Sequence, residues 1–238
     1  MVIALIFAGG TGHRMNTRSK PKQFLELHGK PVIIYTLEHF QRHEKVDAIV
    51  AVCLHDWINA LNEQIKRYGI SKVKKIVPGG ATGHDSIYLG LCAIAEFAAG
   101  NDVVLIHDGV RPLITDDLIT KNIDIAQRYG NAITVENVRE SVVRSRNGNA
   151  IDDVPPRGDM YVAKAPQTFL FGDIFGIYQL GQRDNFKSID SAHLCHEYGV
   201  SLHMVKSTSN NLKITEPADY YIFRALYDAM ENEQIFGL

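Results

Sequence analysis

The sequence is short of net charge, of cysteine and of long apolar runs, and each shortage removes a class of protein. Lys and Arg total 25 against 27 Asp and Glu, a net charge of −2. That gives no support to general nucleic-acid binding, so an anionic ligand must be met by local clusters of cations. No apolar stretch approaches the length of a bilayer span, and no membrane partner is expected. The apolar start, residues 2–7, lacks the basic region of a secretory signal, and glycines stand where a cleavage site would fall. Three cysteines, Cys53, Cys92 and Cys195, are far apart and odd in number. Buried thiols in a reducing, cytoplasmic compartment are expected, not a disulfide framework. A G-x-S-x-G elbow is missing, so a serine hydrolase has no support. His193, Cys195 and His196 invite a zinc reading, but on a helix residues two apart do not share a face, and no second cluster completes four ligands.

What the sequence does contain is an alternation of strand and helix patterns. Apolar or β-branched runs at 2–7, 46–54, 73–77, 103–106 and 132–135 read as strands. Helical spacing marks 31–43, 56–68 and 85–99, and a helix capped by Thr115 or Asp116 runs to about Arg128. This rhythm predicts an α/β fold, a mainly parallel twisted sheet with helices on both faces. In such sheets ligands bind beyond the carboxyl ends of the strands, here the Gly9, Gly79 and Asp108 loops. The rhythm then breaks. Residues 141–144 and 151–154 flank Arg146-Asn147-Gly148-Asn149, a hairpin signal with little to bury, expected to project as an arm and pack on a second subunit. After Pro155-Pro156 come a polar segment with Pro166-Gln167-Thr168, helices near 173–180 and 189–198, and a strand at 202–205. An extended stretch at 211–215 and a last helix from about Pro217 to Met230 complete the chain.

The first strand leads into Ala8-Gly9-Gly10-Thr11-Gly12-His13-Arg14-Met15. Glycines let backbone N–H groups approach phosphate oxygens, and the cations nearby supply charge. Arg14, Arg18, Lys20, Lys22 and Lys30 stand against the single acid Glu26. Such a cluster repels itself unless an anion sits within it. The loop is neither a dinucleotide fingerprint, since Met15 replaces the third glycine, nor a Walker A loop. Asp108 ends an apolar strand beside these loops, the place for a hard-oxygen ligand to Mg²⁺.

In order, Ala8-Gly9-Gly10-Thr11-Gly12-His13-Arg14-Met15, Pro21-Lys22-Gln23, Gly79-Gly80 with Ser86, His107-Asp108-Gly109-Val110-Arg111-Pro112, Arg157 before Pro166-Gln167, Asp190, and Asn211-Leu212-Lys213-Ile214-Thr215 form a specific set. The chain resembles, over essentially its whole length, the polyol-phosphate cytidylyltransferases that act on D-ribitol 5-phosphate or 2-C-methyl-D-erythritol 4-phosphate. The resemblance implies a Rossmann-like nucleotidyltransferase fold, one domain over residues 1–238 with a β-arm inserted at about 138–157, and a homodimer joined through that arm. It implies CTP and a polyol phosphate as substrates, and Mg²⁺ or another divalent cation as cofactor. Arg14 and Lys22 would hold the triphosphate, Lys213 would approach the α-phosphate, and Asp108 would bind the metal. Ala8, Gly9, Gly10, Thr11, Gly12, Gly79, Gly80 and Ser86 would hold the nucleotide. Arg111, Ser141 and the arm's Arg157 would bind the polyol phosphate.

Departures from the family pattern bear on the substrate. Gly83 stands where Arg is usual, Ala165 where Thr precedes Pro-Gln, and Glu140-Ser141 where Asp-Thr is usual in the arm. The Ala8-Gly9-Gly10 loop and Tyr161 resemble the ribitol branch, which is the expected substrate choice, with methylerythritol phosphate as the alternative. A transferase using another nucleotide and a non-catalytic nucleotide-binding protein on the same fold are the remaining readings. The combination of Arg14, Lys22, Asp108 and Lys213 argues against the last.

Overall fold

The structure is a computed structural model and describes residues 1–10 and 20–236. Val2–Ala8 (β1) is the third strand of a seven-stranded sheet of order β5-β4-β1-β6-β8-β7-β9. Its neighbours are Ala48–Cys53 (β4) and Val103–Asp108 (β6), both parallel to it, and Val73–Pro78 (β5) extends the parallel half beyond β4. Tyr161–Leu170 (β8) runs antiparallel between β6 and Asn131–Asn137 (β7), and Met204–Lys206 (β9) closes the far edge parallel to β7. Glu26–Leu27 (β2) and Lys30–Pro31 (β3) form a separate two-stranded ribbon.

Strand alternation divides the core into two layers. Ala4 and Ile6 of β1, Ile49 and Ala51 of β4 and Leu105 of β6 turn to one face. There they meet the apolar stripes of Val32–Arg42 (α1), Ile58–Arg67 (α2) and Asp116–Tyr129 (α4). Ile3, Leu5, Val50, Val52 and Val104 turn to the other face, against Gly83–Ile94 (α3), Phe171–Arg183 (α5) and Ser191–Glu197 (α6). Helices on both faces leave the strand ends as the place where polar loops can gather. Pro217–Phe236 (α7) sits outside these layers. Its Phe223 packs with Val32 and Tyr35 of α1, Val110 and Ile214 in a third apolar cluster, which ties the C-terminal segment to the loop after β6.

Several boundaries differ from the expectation for local reasons. Helix α3 starts at Gly83, two residues early, because Thr82 caps it. The Thr82 hydroxyl accepts from the Asp85 N–H at 3.1 Å, and the Asp85 carboxylate accepts from the Thr82 N–H at 3.2 Å. Thr115, not Asp116, caps α4, and Gly130 ends it in the left-handed region at φ 87°. The polar segment around Pro166-Gln167-Thr168 is strand β8, inside the sheet. Proline has no N–H to give the ladder, and the β7 pairing jumps accordingly from Ile133↔Gln167 to Val135↔Ala163. The expected arm hairpin does not form regular strands: its sole pairing is the isolated bridge Arg144↔Asp153, reinforced by an ion pair at 3.1 Å. Its apolar residues Val143, Ile151 and Val154 are exposed, so packing within the subunit gives the ladder no support.

Candidate active site

The carboxyl ends of β1, β4, β5 and β6 meet at one edge. Gly9 follows β1 and Gly79 follows β5, and the two backbones nearly touch. A Cβ on Gly79 would lie 2.9 Å from the Gly9 Cα, and one on Gly9 would lie 2.8 Å from the Ser86 Oγ. Any side chain at either position would force the loops apart, so this contact requires glycine. The buried Ser86 hydroxyl accepts from the Gly80 N–H at 3.1 Å and donates to the Thr82 carbonyl at 2.8 Å. It joins the Gly79-Gly80 turn to the start of α3 and keeps one lone pair for a ligand. Ala8 and Gly10 are held by Gln23, whose amide donates to the Ala8 carbonyl at 2.7 Å and the Gly10 carbonyl at 3.4 Å. Thr11, Gly12 and Arg14 lie outside the described residues.

Asp108 ends β6 and is only 4% exposed. Its Oδ2 accepts from Arg111 Nε at 2.7 Å and its Oδ1 pairs with Lys213 Nζ at 2.5 Å. Burial by itself would raise the Asp108 pKa. The Lys213 ammonium and the Arg111 guanidinium reverse that and hold the carboxyl well below the usual carboxylate range. Asp108 is therefore a fixed anion and is unsuited to act as a general base. Arg111 is itself buried, and its Nη1 donates to the Asn211 carbonyl at 2.9 Å. It fastens the 211–215 segment beside Asp108. The neighbouring His107 is fully buried, and burial pushes its pKa down to about 3. A neutral ring then places Nε2 3.2 Å from the Arg111 carbonyl, in position to donate, so the turn from β6 is braced from within.

Ile214 brings two further cations together. Its N–H donates to the Val110 carbonyl at 2.9 Å, and its own carbonyl accepts from Lys22 Nζ at 2.9 Å. Because Ile214 is buried in the third apolar cluster, Lys22 and Lys213 are carried to the same point from opposite ends of the chain. A cavity of about 240 Å³ opens here. Asp108, Arg111 and Lys213 form one wall, and Lys164, Ala165 and Gln167 of β8 form another. Gly83 and Asp190 also line it. Two positions where the chain departs from the family pattern, Gly83 and Ala165, thus both line this cavity, and a side chain at Gly83 would extend into open space. Gln167 and Asp190 fix the start of α6: Gln167 Nε2 donates to Asp190 Oδ2 at 3.0 Å, and Asp190 Oδ1 accepts from the His193 N–H at 2.8 Å.

Ser141 and Arg157 are not brought to this cavity. Both are exposed on the arm, Arg157 donates to the Arg139 carbonyl at 3.2 Å, and among the described residues neither lines the cavity wall. Sequence reasoning passed over Lys164 and Gln23 as site residues, and passed over the bracing role of His107. Gln23 was visible in the Pro-Lys-Gln signature. Lys164 was not, because the segment carrying it was not recognised as a strand.

As a metal ligand, Asp108 brings a small donor set. One hard carboxylate facing a cavity, with a lone pair left on each oxygen, fits an ion such as Mg²⁺ that takes its other positions from phosphate and water. Among the described residues, the one group of three ligand-type side chains close enough together to share an ion is His28, Asp228 and Glu231, outside this cavity.

Close-approach glycines at parallel strand ends, beside a buried carboxylate held by Arg111 and Lys213, define the class as an enzyme of the nucleotidyltransferase type. The chain belongs to the 2-C-methyl-D-erythritol 4-phosphate cytidylyltransferase (IspD) family, whose model matches residues 2–228. It is 48% identical over 238 residues to a ribitol-5-phosphate cytidylyltransferase of Vibrio parahaemolyticus, covering all of both chains. To a 2-C-methyl-D-erythritol 4-phosphate cytidylyltransferase of Clostridium botulinum it is 39% identical over 216 residues, covering 90% of this chain and 92% of that one. Among solved structures it matches the 4-diphosphocytidyl-2C-methyl-D-erythritol synthase of Anaerococcus prevotii with a TM-score of 0.82 at 25% identity, covering 95% of this chain and 96% of that one.

Proposed function

We propose that this cytidylyltransferase transfers CMP from CTP to D-ribitol 5-phosphate, giving CDP-ribitol and pyrophosphate. The observation that carries the acceptor choice is the full-length likeness, at 48% identity, to a ribitol-5-phosphate enzyme, against 39% over a shorter span to a methylerythritol-phosphate enzyme. The Ala8-Gly9-Gly10 loop and Tyr161 lean the same way.

A phosphate oxygen of the acceptor attacks the α-phosphorus of CTP in line, and the bond to the bridging oxygen breaks to release pyrophosphate. The nucleophile is already an anion, so the site needs positioning and charge neutralisation more than a base. Gly9, Gly79, Gly80 and Ser86, with Ala8 and Gly10 held by Gln23, form the nucleotide side. Lys22 and Lys213 face the charge that develops around the α-phosphorus. Asp108 would hold Mg²⁺, which when bound neutralises phosphate oxygens. Arg14, Thr11 and Gly12 belong to the triphosphate side in this reading. Arg111, being buried between Asp108 and the Asn211 carbonyl, orients these groups in addition to any contact with the acceptor.

The same reading includes a homodimer. The exposed apolar residues of the arm, Val143, Ile151 and Val154, would be covered by the partner, and Ser141 and Arg157 would reach the partner's acceptor site. Three free thiols suit a reducing, cytoplasmic compartment. The purified protein, given CTP, Mg²⁺ and ribitol 5-phosphate, should release pyrophosphate and form CDP-ribitol; release with methylerythritol phosphate but not ribitol 5-phosphate would overturn the acceptor choice.

A further inference from the structure

The cavity has a cation that the roles above leave unused. Lys164 lies on β8, and its side chain is mostly buried at 14% exposure. Its ammonium pairs with Glu136 on β7 and donates to the Asn211 carbonyl at 3.3 Å. That carbonyl is the one that also accepts from Arg111, so Lys164 joins the Asp108 cluster through a shared acceptor. An ammonium has three donors, and these two partners leave one for a ligand oxygen. Three cations, Arg111, Lys164 and Lys213, therefore surround a space in which Asp108 and Asp190 are the carboxylates on the wall.

Position in the sheet says which anion fits. The nucleotide loops follow β1 and β5, on one side of β6. Lys164 belongs to β8, on the opposite side of β6. Gln167 of β8 pairs with Ile106 of β6, so residues before Gln167 reach past the end of β6, level with Asp108 and beyond. The irregular pairing at Pro166 lets Ala163, Lys164 and Ala165 all line the cavity, where regular alternation would turn the middle one away. Lys164 is thus a cation on the acceptor side of Asp108.

The geometry points to Lys164 as a binding residue for the phosphate of the incoming polyol phosphate, with the Glu136 carboxylate as its partner within the subunit. This rests on the reaction proposed above. The alternative is a cross-strand ion pair that fastens β7 to β8 and does nothing for substrate.

Steady-state kinetics separate the two. In Lys164→Met the KM for ribitol 5-phosphate should rise about tenfold or more, the size of a lost hydrogen bond to a charged group, while the KM for CTP stays within about twofold. Lys164→Arg should recover most of the loss. The double variant Lys164→Met/Glu136→Gln, which leaves no unpaired carboxylate, should show the same KM split. An unchanged acceptor KM in both Met variants, or equal rises for acceptor and CTP, would overturn the assignment. If the wild type used methylerythritol phosphate instead, the ribitol reading would fall and the same comparison would be made on that acceptor. If it released no pyrophosphate with either, the proposed reaction would fall. The comparison would then be the Kd for inorganic phosphate by calorimetry: weaker in Lys164→Met supports the assignment, equal overturns it.

Discussion

Replacing Asp108 with Asn tests the cluster at the end of β6 most sharply. The substitution keeps the shape and removes the charge. An amide can offer its oxygen to Arg111 or to Lys213 but turns an NH₂ toward the other. Removing one partner of a buried ion pair typically costs about 3–5 kcal/mol, because the remaining charge is left unpaired in a dry site. The two cations contribute unequally. The Arg111 side chain is 9% exposed and takes the full penalty, whereas Lys213 at 39% can turn to water and is screened. The lower end, about 3 kcal/mol, is therefore expected at pH 7. At about 2–4 °C per kcal/mol for a chain of this size, the melting temperature should fall by about 6–12 °C. Turnover should fall by about two orders of magnitude or more, since the proposed Mg²⁺ ligand and the anion that positions Lys213 and Arg111 are lost. Because the folded carboxyl is held below its ordinary pKa of 3.8, the pair's stabilisation is complete above that pH and is lost as the pH falls below it. The assay is urea or thermal unfolding of both proteins at pH 7, with Arg111→Met and the double variant completing a cycle. A loss below about 1 kcal/mol, or strictly additive losses in the cycle, would refute a tightly coupled buried cluster.

Lys22→Ala should lower kcat by about two orders of magnitude or more, as for other charge-stabilising groups in closed sites, and a nearly unchanged kcat would remove Lys22 from the mechanism. If the arm acts across a dimer, mixing inactive Arg157→Ala and inactive Lys22→Ala subunits should restore some activity; confirmed heterodimers without activity would count against a shared site. His107 is buried neutral with a pKa near 3 against 6.5 for a free imidazole, so the unfolded chain takes up its proton first as pH falls. Stability should therefore decline from about pH 6.5 toward pH 3, at up to about 1.4 kcal/mol per unit from this group. His107→Gln should flatten that decline without levelling it, because burial also lowers the pKa of His39 and His84. An identical slope in the variant would show that His107 does not drive it.

The parallel half of the sheet was legible because its strands are continuous apolar runs between glycine-bearing loops, a pattern set by burial on both faces. The same rule places Gly9, Gly79 and Asp108 at one edge from the sequence alone. Strand β8 was hidden for the converse reason. It carries Lys164, Pro166, Gln167 and Thr168, and its burial comes from neighbours on both sides, which a local reading does not see. Missing it meant missing Lys164. The arm was legible as a turn but not in the extent of its pairing: Asn147-Gly148 is a strong local turn signal, and Gly148 does adopt φ 75°, but a turn without a packed face yields one bridge and not a ladder. The meeting of Lys22 with Lys213 was also beyond a local reading, since it depends on Ile214 being drawn into a core shared with Phe223 and Val110. Arg111 shows how a correctly chosen residue can have a further role, as its buried guanidinium ties Asp108 to the Asn211 carbonyl.

Cytidylyl transfer with ribitol 5-phosphate as acceptor can be observed directly. The direct measurement is a competition: the purified protein with Mg²⁺, CTP and equal concentrations of ribitol 5-phosphate and methylerythritol phosphate, with the nucleotide products identified by mass spectrometry. CDP-ribitol should dominate, with one pyrophosphate released per molecule formed. Predominance of the methylerythritol product would contradict the acceptor assignment, and absence of both products would contradict the reaction itself.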